Sequence, residues 1–171
     1  MSVSGDLCVF RSGTRCFGLS TAWATEVIEP RPLTPMPGAA ADLLGVFNLR
    51  GEAVALVAPE RVLAFEAGTA AASTSWIVIG RGDRRFGLAV DNILGVVHLA
   101  PWEGPRDTAN CTGAARGEVE KNGSTFTLLD PEVLLDEVAR LLADGFRATL
   151  GGSPGPGAGS ILEGQNCDAR A

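Results

Sequence analysis

The single histidine, His98, is the residue most suited to acid–base or metal chemistry, and it stands alone. It lies in Leu94-Gly95-Val96-Val97-His98-Leu99, with no second histidine in the chain and no cysteine nearby in sequence. A catalytic or metal-bound imidazole needs partners that orient it, so a structural or surface role is expected. The four cysteines are Cys8, Cys16, Cys111 and Cys167. No pair has a Cys-x-x-Cys spacing, and two lie in apolar strand-like runs. That usage fits buried thiols in a reducing compartment better than a disulfide framework or a zinc site. The chain has no Gly-x-Ser-x-Gly elbow, Walker loop or dinucleotide fingerprint. Asp91 and Asp130 fall near expected strand ends, where two acids could face a cleft. Asp91 reads better as a turn residue. Asp130, followed by Pro131 and Glu132, reads better as a helix cap. No catalytic, cofactor-binding or metal-binding residue is therefore assigned. A small β-barrel hydrolase using acidic residues is the alternative from another class.

Composition narrows the partners. The formal net charge is -6, and no basic run is interleaved with aromatics, which argues against nucleic acid and against an anionic membrane surface. No apolar run is long enough to span a bilayer, and the start of the chain lacks a basic segment followed by an apolar stretch and a cleavage site. A cytoplasmic location without direct membrane insertion is expected. Asn110-Cys111-Thr112 and Asn122-Gly123-Ser124 match glycosylation acceptors, without meaning in that compartment. Arg81-Gly82-Asp83 is explained by a hairpin corner rather than by an adhesion ligand.

The elements that would position any site come in two copies. Gly13-Thr14-Arg15-Cys16-Phe17-Gly18-Leu19 recurs as Gly82-Asp83-Arg84-Arg85-Phe86-Gly87-Leu88, an offset of 82 − 13 = 69. Residues 51–60 match residues 123–132, an offset of 123 − 51 = 72. Two blocks in one order at nearly one offset indicate a duplicated unit of about 70 residues. Leu7-Cys8-Val9-Phe10 and Trp76-Ile77-Val78-Ile79 read as strands, with glycine corners at Gly13, Gly82, Gly51 and Gly123. The expectation is a mainly β chain of two intertwined five-stranded small barrels. The first occupies 6–66 and the second 74–146, separated by a small-residue linker. A helix starts at Asp130 and Pro131, carries an apolar stripe of Leu134, Leu135, Val138, Leu141 and Leu142, and stops near Gly145. A shorter helical turn is expected at 39–44. Residues 147–171, rich in glycine and proline, read as a disordered tail.

The run Gly45-Val46-Phe47-Asn48-Leu49-Arg50-Gly51-Glu52-Ala53-Val54 holds an Asn-x-Arg-Gly corner between apolar flanks. It reads equally as a plain hairpin or as an arginine projected from a rigid corner into a protein interface. Together with Pro35-Met36-Pro37-Gly38, Thr25-Glu26-Val27-Ile28 and Phe86-Gly87-Leu88-Ala89-Val90-Asp91-Asn92-Ile93-Leu94-Gly95-Val96, it resembles the CheW family over about residues 6 to 146.

That resemblance implies a scaffold without catalysis or cofactor. It would join the regulatory domain of a CheA-type histidine kinase to the cytoplasmic tip of chemoreceptors, at arrays on the inner membrane reached through those partners. It also implies that Glu26, Val27, Arg50, Val90 and Ile93 lie at a groove between barrels that engages the receptor, with Asn48, Leu49 and Gly51 forming the signature corner. A regulatory member of a non-flagellar chemosensory pathway is the nearest alternative. One departure stands out. The family usually has an Asp after the strand that follows Asn-Leu-Arg-Gly, whereas here the residues are Val57-Ala58-Pro59, a departure that bears on local capping and on one contact.

Overall fold

The structure, a computed structural model, describes residues 5–37, 39, 41–65, 73–101, 103, 105–106 and 113–150. All but the last residue of the expected linker at 66–73, the Asn110-Cys111-Thr112 run and residues 151–171 lie outside them. The chain forms β1 (Gly5–Ser12), β2 (Arg15–Ser20), β3 (Ala24–Ile28), β4 (Leu43–Leu49), β5 (Glu52–Val57), α1 (Pro59–Val62), β6 (Ser75–Arg81), β7 (Arg84–Val90), β8 (Asn92–Leu99), β9 (Ala115–Lys121), β10 (Ser124–Leu129) and α2 (Pro131–Leu150). The strands make two five-stranded sheets, ordered β8-β1-β2-β10-β9 and β3-β6-β7-β5-β4. Replacing each strand of one sheet by its partner five strands along the chain yields the other sheet, so the duplication is a structural pseudo-twofold.

The sheets are not the two sequence halves. The boundary at 66/74 separates β1–β5 from β6–β10, but each sheet draws strands from both groups. Strands β3 to β7, a continuous stretch, build one sheet. Strands β8 to β10 build the other, completed by β1 and β2 from the start of the chain. The expected assignment of one barrel to 6–66 and one to 74–146 is corrected accordingly. The sequence repeat and the paired unit are out of phase by two strands. The exchange is made through two parallel contacts, β2 with β10 and β5 with β7, and two antiparallel ones, β1 with β8 and β3 with β6.

Burial explains why the middle of the first strand of each repeat, Leu7–Phe10 and Trp76–Ile79, is apolar without alternation. In β1, Leu7 and Val9 enter the core of their own sheet, while Cys8 and Phe10 face the other sheet. In β6, Trp76 and Val78 point into their own sheet and Ile77 and Ile79 across. A strand buried on both faces has no polar alternation to show. Each sheet wraps its own cluster: Phe47 on β4 packs against Trp76 on β6, three places away in strand order, with ring centroids 5.1 Å apart. Between the sheets lies a third cluster, with Phe10, Phe17, Ile79, Phe86, Leu88 and Val90 at its centre. Each such side chain contributes about 1.5–3 kcal/mol when fully buried.

The two helices cover this middle cluster. Asp130 caps α2 as expected, its Oδ1 accepting the Glu132 N–H at 2.9 Å and the Val133 N–H at 3.3 Å. Leu134, Leu135, Val138 and Leu141 are buried, with Leu142 packed beside them. Gly145 does not stop the helix. It continues the buried stripe one turn past Leu141, and α2 runs to Leu150, so residues 147–150 of the expected tail are helical. The shorter turn expected at 39–44 is replaced by a turn at 41–42 and the start of β4. Instead α1 forms at Pro59, in the position that Pro131 takes in the second copy. Its N-cap is Ala58, which makes no side-chain cap hydrogen bond, and it lasts four residues. The lost capping residue thus coincides with a helix of one turn.

Gly18 and Gly87, equivalent in the repeat, are spaces filled by aromatic rings. A Cβ on Gly87 would stand 2.8 Å from Cε1 of Phe47, and one on Gly18 would stand 2.8 Å from Cδ2 of Phe126. The rings come from opposite strands of the equivalent pairs Phe47↔Val54 and Val119↔Phe126. Gly87→Ala should cost about 1–3 kcal/mol by overpacking, read as a shift in urea midpoint. Leu94→Ala, at an exposed position, should stay within about 0.5 kcal/mol. Burial pushes the Cys8 thiol up from its ordinary value, whereas Cys16 is half-buried. Iodoacetamide should therefore label Cys16 well before Cys8 in the native protein, as read by peptide mass, and equalise the two on unfolding.

Candidate functional site

The corner joining β4 to β5 contains two residues, Arg50 and Gly51, between the paired Leu49 and Glu52. Both take positive φ, 53° and 92°. This is the twist that a two-residue hairpin requires, and asparagine-glycine satisfies it most readily. The second copy of the corner uses Asn122 and Gly123 at φ 53° and 75°. Arginine in that conformation is the less comfortable choice. Asn48 Oδ1 accepts the Gly51 N–H at 2.8 Å and holds the corner, while Leu49 is buried among Phe47, Val54 and Leu56. The arginine is therefore presented by a backbone that has little freedom to move.

Arg50 reaches from this corner to β3. Its Nη2 lies 3.0 Å from Glu26 Oε1, with the arginine side chain 79% exposed and the glutamate 27%. Strands β3 and β4 are the two ends of their sheet, so the pair bridges the seam of the barrel. The other sheet has a counterpart. Lys121, at the β9–β10 corner, donates to the His98 carbonyl on β8 and lies 2.6 Å from Glu103 Oε2. The hydrogen bond from Lys121, with the Ala100 N–H, holds the Glu103 carboxyl below the ordinary carboxylate range. Arg50 differs in being the exposed member of a charge pair at the surface, where it can exchange partners. Such exposed pairs contribute about 0–1 kcal/mol to folding.

Next to Glu26 on β3, Val27 is half exposed. Its register partner is Ile77, and the equivalent pairing in the other sheet is Val96 with Cys8. Val96 is 65% exposed and Leu94 52%, the two most exposed large apolar side chains among the described residues. Both edge strands carry a register shift at the equivalent place. Edge strands with bare apolar side chains invite a protein partner; on β3 the neighbouring charge, Glu26, is taken up by Arg50.

The residues expected at a groove are thus only partly brought together. Glu26 and Arg50 are paired and accessible, whereas Val27, exposed and next in sequence, points from the opposite face of β3, sharing the face of Ile77 while Glu26 shares that of Val78. Asn48, Leu49 and Gly51 build the corner that holds Arg50. Ile93 lies on β8, half-buried against the middle cluster. Val90 is 0% exposed in that cluster; it cannot touch a partner and acts by packing. Leu94 and Val96 were not singled out from the sequence, because Ile93-Leu94-Gly95-Val96-Val97 is apolar throughout and does not say which side faces water.

The remaining acids have structural work. Asp91 Oδ2 accepts the Gly13 N–H at 2.7 Å, tying the β7–β8 corner to the β1–β2 corner. Asp130 caps α2 and also pairs with Arg116. His98 is exposed, its Nδ1 2.8 Å from Asp6 Oδ1. Among the described residues no group of three or more His, Cys, Asp or Glu could hold a metal ion.

A family model described as a CheW-like domain matches residues 6–139, well over half of the chain. No curated protein matches it in sequence. Among solved structures, the fold is similar to the crystal structure of scaffolding protein TtCheW from Thermoanaerobacter tengcongensis, with a TM-score of 0.65 at 18% identity, covering 75% of this chain and 90% of that one.

Two substitutions separate support from display. Asp130→Ala should lower the unfolding free energy by about 0.5–2 kcal/mol through loss of the cap. Arg50→Asn, which copies the residue at the equivalent corner, should change it by less than about 1 kcal/mol. Chemical denaturation followed by circular dichroism measures both.

Proposed function

Because the chain belongs to the CheW-like domain family, whose members are non-enzymatic scaffolds, we propose that it couples a CheA-type histidine kinase to methyl-accepting chemoreceptors. The observation that carries this reading is Arg50: a long cation held at positive φ by a braced corner, exposed, and paired with Glu26, which precedes the bare Val27 on β3. A receptor tip is a helical hairpin. An amphipathic helix brings apolar anchors and flanking charges to an open groove, and Val27, Glu26 and Arg50 offer the complement. Val96 and Leu94 extend the apolar surface from the second edge strand. The kinase regulatory domain is the second partner, and the chain needs no cofactor to hold the two together.

No helix among the described residues is long and apolar enough to cross a membrane. We place the protein in the cytoplasm, associated with the inner membrane through its receptor partner.

The experiment is a binding titration of the full chain with a chemoreceptor cytoplasmic fragment from the source cell. Arg50→Asp should weaken binding at least tenfold, about 1.4 kcal/mol, with the circular dichroism melt unchanged. Arg50→Asn should weaken it less, and Val27→Asp at least as much as Arg50→Asp. If Arg50→Asp binds the fragment like the unmodified chain, the corner is not the receptor contact.

A further inference from the structure

The connection from β3 to β4 carries Glu29-Pro30-Arg31-Pro32-Leu33-Thr34-Pro35-Met36-Pro37, four prolines in nine residues. Past the exposed Pro30, every third side chain turns inward. Leu33 and Met36 are half-buried, while Arg31, Pro32, Thr34, Pro35 and Pro37 are exposed. Three residues per turn is the repeat of a polyproline II helix, which needs no internal hydrogen bonds and which proline favours. One side of the segment is anchored: Leu33 packs against the cluster of Ile28, Phe47 and Trp76. Thr34 exchanges two backbone hydrogen bonds with Val46 on β4, at 2.8 and 2.9 Å. The other two sides face water, one with Pro32 and Pro35 and the next with Arg31 and Thr34; at Pro37 the segment ends in a turn, the Ala39 N–H donating to the Met36 carbonyl at 3.2 Å. Arg31 has no carboxylate partner among the described residues.

Covering the edge of β4 would explain a proline or two, because proline stops a sheet from growing. The pseudo-twofold shows what that task requires. In the second copy Arg106 exchanges the same two hydrogen bonds with Glu118 on β9, at 2.9 and 3.2 Å. Gly45 and Gly117 make room in the two copies, since a Cβ on either would come within 2.9 Å of the carbonyl oxygen of Thr34 or Arg106. Yet 72 residues after Pro32 and Pro35 stand Gly104 and Asp107. The edge is covered there without a Pro-x-x-Pro pair.

We propose that residues 30–37 are a preformed polyproline II ligand, docking through Pro32 and Pro35 into a partner groove walled by aromatic side chains, with an acidic rim that receives Arg31. Anchoring through Leu33 and Thr34 removes most of the ordering entropy that a free proline-rich peptide loses on binding. This surface is separate from the Arg50 corner and stands or falls independently of the receptor contact.

The test titrates the isotope-labelled full chain with two isolated probes of that groove chemistry, an SH3 domain and a WW domain. The expected result is saturable amide shifts confined to residues 30–37 with at least one probe. These should weaken at least tenfold in Pro32→Ala/Pro35→Ala and in Arg31→Glu. The Thr34 and Val46 amides should keep their native positions in both variants, showing that the segment is still anchored. Shifts centred on Val27, Leu94 and Val96, equal titration of the double variant, or no shift with either probe would overturn the proposal.

Discussion

The fold depends on burying the same two hairpins from both sides. Strands β1–β2 and β6–β7 each give one face to their own sheet and the opposite face to the cluster between the sheets. That arrangement is met only if the hairpins sit in the middle of five-stranded sheets, so each must recruit strands on both flanks. The chain supplies them by exchange. The hairpin β1–β2 is flanked by β8 and β10 from the second repeat, and β6–β7 by β3 and β5 from the first. Neither repeat can bury its first hairpin alone. The non-local pairing makes one cooperative body from two copies, at the cost of a slower search for long-range contacts.

The pseudo-twofold also makes the functional features legible, because each has a control built into the same molecule. Two equivalent corners take the same backbone shape. One has the residue that suits the shape, Asn122, and the other has Arg50. Two equivalent edge strands expose a valine, but only β3 carries the acid that pairs with the corner cation. Two equivalent connections cover the outer edges of β4 and β9, and only one is built from a Pro-x-x-Pro pair. Where copies share a feature, the fold explains it. Where one copy keeps a residue less suited to its backbone than the other copy does, as at Arg50 against Asn122, the shared fold does not account for it.

The ionisable groups follow the same division. Asp91 and Asp130 are each committed to backbone N–H groups at places where the chain changes direction. They join the hairpins and start α2, as carboxylates do where several donors converge. The seam pair Arg50–Glu26 is a different case, since exposure to water leaves little folding energy in it. A group that contributes little to folding is free to be spent on recognition.

What the sequence alone determined was local. The glycine corners, the doubly apolar strands, the Asp130 cap and the duplication are visible because each rests on residues a few positions apart, or on one block matching another. The Asn48-Leu49-Arg50-Gly51 corner was readable for the same reason, and its match to a known family supplied a role for it. Which strands pair, by contrast, is decided by faces that meet across separations from 87 − 56 = 31 residues, Leu56 with Gly87, to 127 − 17 = 110 residues, Phe17 with Thr127. The repeat of about 70 residues marks the duplicated unit, but the sheets are built out of phase with it. Val90, grouped with the groove from its place in the signature, lies in the middle cluster. Leu94 and Val96, hidden in an unbroken apolar run, face water. An apolar run shows that a strand is buried without saying from which side, and only the packing of one sheet against the other settles which of its side chains are left for a partner.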